Sequence, residues 1–140
     1  MKHLFLIRHA KSSWSDGSLT DHERPLNSRG LKQLGPMGKA IRSEGAFEGT
    51  LYCSNAARAR QTLEGLVPNN VLATAKVAPV LYTFNHAVVL DWLHDREDDR
   101  ITLIGHNPAL EELASLLLKH APDSFPTCSY MHITLPIEHW

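Results

Sequence analysis

The chain of 140 residues carries 14 Lys and Arg against 15 Asp and Glu, a formal net charge of −1, with 43% hydrophobic and 21% charged residues. That balance belongs to a globular protein rather than a disordered chain, and it supplies no overall field to draw nucleic acid or an anionic membrane. The length fits one domain, expected over residues 1–140, and any anion must be held by a local cluster of cations.

Leu4–Ile7 is an uninterrupted apolar run, the pattern of a strand buried on both faces. It lacks the core and cleavage site of a secretory signal, and no segment approaches the ~20 apolar residues of a membrane span, so a cytoplasmic location is expected. From Arg8 to Ser28 the chain turns polar and reads as a long loop, and loops of that length usually carry function. Within it, Lys11, Ser12 and Ser13 are candidates for a pocket rim, and Trp14 is either a loop anchor or part of a partner surface.

Leu31, Leu34, Met37 and Ile41 recur at the spacing of an amphipathic helix, and Pro36 inside that pattern predicts a kink or a late start. Thr50–Cys53 reads as a second buried strand and Ala57–Leu66 as a helix with Ser54 or Asn55 at its N-cap. Val71–Val80 is ambiguous, with a strand placed near Val71–Ala75. Ala87–His94 predicts a short helix, and Glu97-Asp98-Asp99 reads as a solvated connector. Arg100–Ile104 is another strand, Pro108–Lys119 a helix with Asn107 as N-cap, and Ser129–Leu135 a last strand after the Pro122–Pro126 loop. Strand and helix alternate, which predicts an α/β fold around a central, mostly parallel sheet.

Cys53 and Cys128 are too few for a disulfide scaffold and read as reduced, buried thiols. His3, His22, His86, His94, His120, His132 and His139 show no ligand spacing, so neither a metal nor another cofactor is expected.

Three segments share one design, an apolar strand followed by a sharp polar turn: LFLIRHA at Leu4–Ala10, YCSNAAR at Tyr52–Arg58 and TLIGHNP at Thr102–Pro108. Ligands of open α/β sheets gather at the carboxyl ends of strands, so these turns would bring Arg8, His9, Arg58 and His106 together. Arginine forks suit phosphoryl oxygens, and a neutral imidazole between them could attack phosphorus in line. Arg60, two residues beyond Arg58, points to another side of its helix.

Four motifs in order carry a resemblance over nearly the whole chain: LIRHAKSSW at Leu6–Trp14, D-x-x-RPL-x-x-RG at Asp21–Gly30, S-x-A-x-RA-x-QT at Ser54–Thr62, and GHNP at Gly105–Pro108, with Leu81-Tyr82 between the last two. The chain resembles the histidine phosphatase superfamily, with its phosphoglycerate-mutase-like fold, and within it the SixA-type phosphohistidine phosphatases. The resemblance implies a three-layer α/β/α arrangement with a mixed, mostly parallel sheet. It implies His9 as the nucleophile that becomes phosphorylated, Arg8 and Arg58 as clamps on the phosphoryl oxygens, His106 as a second histidine stabilising charge, and Arg24 as a further phosphate contact.

Ala10, common in the SixA-like branch, stands where many members carry Gly, and Ser15 stands where the mutase branch carries Asn, which turns the reading away from a phosphosugar mutase. Larger relatives supply a carboxylic general acid from an inserted segment, and the counterpart here, Leu81-Tyr82-Thr83, has no carboxylate; Asp16 or Asp21 could reach in from the loop. A missing acid suits a leaving group of low basicity such as imidazole. The expected activity is therefore metal-independent hydrolysis of a phosphoryl group, from phosphohistidine in a partner protein, through a phosphorylated His9. The alternatives are a small-molecule phosphomonoesterase or mutase of the same superfamily, and a non-catalytic phosphohistidine-binding module.

Overall fold

Alternation along the first strand divides the molecule into layers. In the computed structural model, which describes residues 1–140, β1 spans Lys2–Arg8. Its Leu4 and Leu6 point into one core, and Phe5 and Ile7 into another on the opposite face. The same period of two recurs in β2 (Thr50–Cys53) and β4 (Arg100–Gly105): Tyr52, Ile101 and Leu103 face the first core, and Leu51, Cys53 and Ile104 the second. A sheet apolar on both faces needs a helical layer on each. Helix α1 (Ser28–Ser43) and α2 (Ala57–Leu66) cover the Phe5 side through Leu34, Ile41 and Leu63, while α4 (His86–His94) and α5 (Ala109–Leu118) cover the Leu4 side through Val89, Leu93, Leu110 and Leu113.

The five strands run in the order β3-β2-β4-β1-β5, with β3 at Lys76–Val77 and β5 at Tyr130–Leu135. Neighbours pair in parallel except β5, which is antiparallel to β1. This is the expected mixed, mostly parallel sheet between helices. The parallel strands β1, β2 and β4 end side by side, so Arg8, Cys53 and Gly105 hand the chain to three adjoining loops on one edge.

Some local expectations need correction. Val71–Ala75 holds no strand. Pro68 starts the short helix α3 (Asn69–Leu72), and Val71, Leu72 and Ala75 use a helical turn to reach the core that a strand would have split between two faces. The edge strand comes later and is only two residues long. Helix α1 begins early, at Ser28, because the Asn27 side chain accepts a hydrogen bond from Gly30 N at 2.8 Å; Pro36 sits inside it on the exposed face, where its missing N–H costs least. Helix α5 begins at Ala109 with Pro108 at the cap position, and Asn107 Oδ1 accepts from Glu111 N at 3.3 Å.

The acidic run is more than a solvated connector. Asp98 accepts hydrogen bonds from Thr50 Oγ1 at 2.5 Å and Tyr52 OH at 3.0 Å. Lys2, only 3% exposed, donates to Asp99 Oδ1 at 2.9 Å and to the carbonyls of Glu97 and Asp98. The run ties the N-terminal ends of β1 and β2 to the start of β4, because a buried ammonium must find several acceptors.

Two glycines of α1 make opposite predictions. A Cβ on Gly30 would collide with the Lys11 carbonyl oxygen, whereas one on Gly35 meets nothing within 4 Å. Chemical denaturation is expected to show Gly30→Ala losing about 1–3 kcal/mol through forced displacement of the loop after β1, and Gly35→Ala gaining about 0.5–1 kcal/mol from helix propensity alone.

Candidate active site

The backbone at the strand ends is laced together before any side chain enters. His9 N donates to Gly105 O at 3.2 Å, Ser54 N to Ile104 O at 3.0 Å, and Cys128 N to the carbonyls of both Arg8 and His9 at 3.1 and 3.0 Å. Ala10 N donates to Thr62 Oγ1 at 3.0 Å, and that hydroxyl donates to Arg58 O at 2.7 Å. The loops after β1, β2 and β4 therefore meet as one unit, and they bring Arg8, His9, Arg58 and His106 together as their motifs anticipate.

His9 is 7% exposed and lies at a cavity of about 310 Å³, bordered also by Arg8, Arg24, Arg58 and Asp21. Its Nδ1 sits 2.7 Å from Ala10 O, an acceptor only, so Nδ1 carries the proton and Nε2 is left with its lone pair. Arg58 Nε faces that nitrogen at 3.4 Å. Burial pushes the His9 imidazolium down to about 4; Arg58, Arg8 and Arg24 add to the effect against the opposing Ala10 hydrogen bond. The ring is neutral at physiological pH, with its free nitrogen toward a guanidinium.

The loop from Ala10 to Asn27 is folded back on itself. Ser12 bridges Leu26, Ser13 N donates to Pro25 O at 2.8 Å, and Asn27 N donates to Lys11 O at 3.0 Å. A 3-10 turn at Asp21–Glu23, capped by Thr20, then lies across α2. Arg58, 2% exposed, donates through Nη1 to Asp21 O at 2.7 Å and through Nη2 to Asp21 Oδ2 at 3.0 Å. Arg24 donates to Asp21 Oδ1 through Nε at 3.2 Å and Nη2 at 3.1 Å, and through Nη1 to Ser12 Oγ and Ser13 O. Tyr82 OH donates to Asp21 Oδ2 at 2.5 Å. Burial alone would raise the Asp21 carboxyl, but the hydrogen bonds from Tyr82, Arg58 and Arg24 and the Arg58 charge outweigh it and hold it at about 2.

His106 is 1% exposed at the end of β4, its ring centroid 5.3 Å from that of His9. It does not border the cavity itself. Its Nε2 lies 2.7 Å from Ser54 Oγ, which already accepts from Ala56 N at 3.2 Å. That hydroxyl can donate its own proton to Nε2, the arrangement in which the His106 proton sits on Nδ1. That Nδ1 is buried with no protein partner, as is Arg8 Nε. Burial holds the His106 imidazolium down to about 3, with Arg58 adding to it.

Several residues of the site were not assigned by sequence reasoning. The sequence offers Ser54 or Asn55 as the helix cap, but α2 starts at Ala57 with Ala56 at its cap, and the Ser54 hydroxyl serves His106. Tyr82 and Thr62 enter the sequence reading only as letters of the resemblance, without a contact assigned to either. Gln61 Oε1, which accepts from Leu26 N at 2.7 Å, is likewise a motif letter with a positioning contact. Of the two aspartates that could reach in, Asp21 does, while Asp16 stays exposed and holds Ser18. Lys11, Ser12 and Trp14 border the cavity. Both cysteines are buried and free, and burial raises Cys53 to about 12 and Cys128 to about 11. No group of three His, Cys, Asp or Glu side chains is placed to hold a metal ion, and no helix is long and apolar enough to cross a membrane.

Comparison with known proteins gives this geometry a context. Residues 4–77 match the model of the histidine phosphatase superfamily, branch 1. An uncharacterized protein of Mycobacterium tuberculosis is 36% identical over 113 residues, which cover 79% of this chain and 69% of that protein. The structure of the protein histidine phosphatase SixA complexed with tungstate aligns with a TM-score of 0.77 and 24% identity, over 95% of this chain and 88% of that one. A phosphoserine phosphatase mutant from Entamoeba histolytica, complexed with phosphoserine, aligns with a TM-score of 0.71 and 13% identity, over 99% and 93%. These structural likenesses establish a phosphoglycerate-mutase-like fold.

The two depressed histidines set a pH dependence of stability. Their folded values, about 4 and about 3, lie below the ordinary 6.5, so on acidification the unfolded chain takes up protons first. Their contribution is complete above about pH 6.5 and is lost as pH falls toward the folded values. Urea denaturation midpoints should fall between pH 6.5 and 4.5, with a shallower slope in His106→Gln. In ¹⁵N spectra His9 should show the Nδ1–H tautomer and no titration above pH 5.5; a His9 midpoint near 6.5 would refute this electrostatic picture.

Proposed function

From the chain's membership of the histidine phosphatase superfamily, which supports phosphatase activity, we propose that it removes a phosphoryl group from phosphohistidine in a protein, using His9 as a covalent nucleophile. The observation that carries this reading is the state of His9: neutral, with Nδ1 tied to Ala10 O and Nε2 directed at an arginine-lined cavity. Such a nitrogen needs no base to free its lone pair.

In the first step the Nε2 lone pair forms an N–P bond as the bond from phosphorus to the leaving imidazole nitrogen breaks, the pair departing on that nitrogen. A leaving ring already protonated on its second nitrogen departs neutral and takes no proton from the enzyme. Arg58 and Arg8 balance charge on the equatorial oxygens, and Arg24, most of whose donors hold Asp21, Ser12 and Ser13, contributes its charge. His106 is proposed to donate from Nδ1 to a phosphoryl oxygen. In the second step water attacks phosphorus, the N–P bond breaks, and its pair returns to His9 Nε2 as phosphate leaves.

Asp21 is the one carboxylate bordering the cavity, and it is held ionised at about 2. It positions arginines and has no proton to give at neutral pH. That supports a substrate whose leaving group departs without a strong acid, and it favours imidazole over an alkoxide.

Incubation with phosphohistidine protein is expected to release phosphate, and rapid acid-free quenching with mass spectrometry to find an added phosphoryl on His9. His9→Ala should lose turnover by more than about 10³-fold with unchanged thermal stability; retained turnover would eliminate this mechanism. Arg58→Ala should lose about 10²–10³-fold, and EDTA should leave the rate unaltered. Stoichiometric binding of phosphoprotein without phosphate release would instead identify a binding module.

A further inference from the structure

Two large aromatic side chains stand exposed at the arginine-lined cavity, and the reaction just described uses neither. Trp14 is 75% exposed and Phe84 48%, and both border the cavity that holds His9. Exposed aromatics beside a charged pocket leave apolar area in water that a ligand can cover.

Each ring is also fixed from behind. The Arg24 guanidinium carbon lies 3.4 Å from the centroid of the Trp14 ring, and Arg24 is itself anchored by Ser12, Ser13 and Asp21. One indole face is therefore occupied by a cation that cannot wander, and the residue's exposure comes from the rest of the ring. Phe84 meets the rings of Tyr82 and His106 edge-on, both centroids 5.9 Å away at 70° and 69°. Phe84 borders the cavity itself and rests against the His106 ring, whose centroid lies 5.3 Å from that of His9. Rings held in this way lose little further freedom on binding a flat partner, which is preorganisation for a ring rather than for a flexible chain.

We propose that Trp14 and Phe84 are specificity-determining residues that stack the leaving ring and so select phosphoryl groups carried on a planar aromatic group over alkyl phosphates. The proposal rests on the phosphatase reading above and narrows it. Leaving-group chemistry points the same way. With Asp21 ionised, the carrier must depart as a weak base; among phosphate-bearing side chains carboxylate, imidazole and phenol do so, and of these imidazole and phenol are the ones that offer a ring to the two aromatics. Both are flat. Serine, threonine and sugar hydroxyls offer neither the ring nor the easy departure.

The test compares kcat/KM on ring substrates, phosphoimidazole and phenyl phosphate, with phosphoramidate, which has the same P–N bond as phosphoimidazole and no ring. Trp14→Leu and Phe84→Leu are expected to lose about tenfold more on phosphoimidazole than on phosphoramidate, mainly through KM, and Trp14→Phe to recover most of the loss. In the wild type, a higher kcat/KM for phosphoimidazole than for phenyl phosphate assigns the carrier to imidazole, and the reverse to phenol. Equal losses on ring and ringless substrates would show that Trp14 merely props Arg24, and would overturn the proposal. No loss on any substrate would overturn it too. A wild type that turns over none of the three and gains no phosphoryl on His9 would be a different result, the failure of the phosphatase reading itself, and the rim would fall with it.

Discussion

A guanidinium that is 2% exposed must be answered by the protein around it, and the answer given to Arg58 organises the site. Asp21 supplies both its carbonyl and its carboxylate. Asp21 comes from the middle of the Ala10–Asn27 segment, whose ends are tied to α2 by Thr62 and Gln61, so this pairing closes the centre of the loop onto the sheet edge. The same carboxylate then gathers Arg24 and Tyr82. The Nε–H of Arg58 is directed at His9 Nε2. One buried cation thus docks the loop and helps keep His9 neutral.

The positions of Arg8, His9, Arg58 and His106 were legible in the sequence because each follows or begins an element whose pattern is unambiguous. Leu4–Ile7 and Arg100–Ile104 are continuous apolar strands that the structure keeps, and the carboxyl ends of parallel neighbours must lie together. What Tyr82 and Ser54 do was not legible because their contacts are long-range. Tyr82 reaches Asp21 across 61 residues and Ser54 reaches His106 across 52, and no local period encodes either. Val71–Ala75 failed for a local reason: β-branched and small residues suit strand or helix, and only packing against the core decides. Asp98 and Asp99 were misread since a charge run looks solvated until the buried Lys2 they answer is seen.

Electrostatics divides labour among the polar groups without any metal ligand set. The two histidines are held neutral by burial and by arginines, and the aspartate is held ionised by donors. Each group therefore sits far from its own titration point at neutral pH. Such a site is suited to charge compensation and nucleophilic attack rather than to shuttling protons, and this matches a chemistry in which the leaving group provides for itself.

The lacing of the His9 backbone has a further meaning. Its N–H is held by Gly105, its carbonyl by Cys128, and the next amide by Thr62. Cys128 reaches its position with a left-handed φ of 58°, a conformation most side chains avoid. The backbone carrying His9 is therefore ordered once, when the chain folds, and a reaction at its Nε2 would not have to supply that ordering again. Variation that altered the rim around Trp14 and Phe84 could change what enters the cavity while this frame, and the line of attack it fixes, stayed as it is.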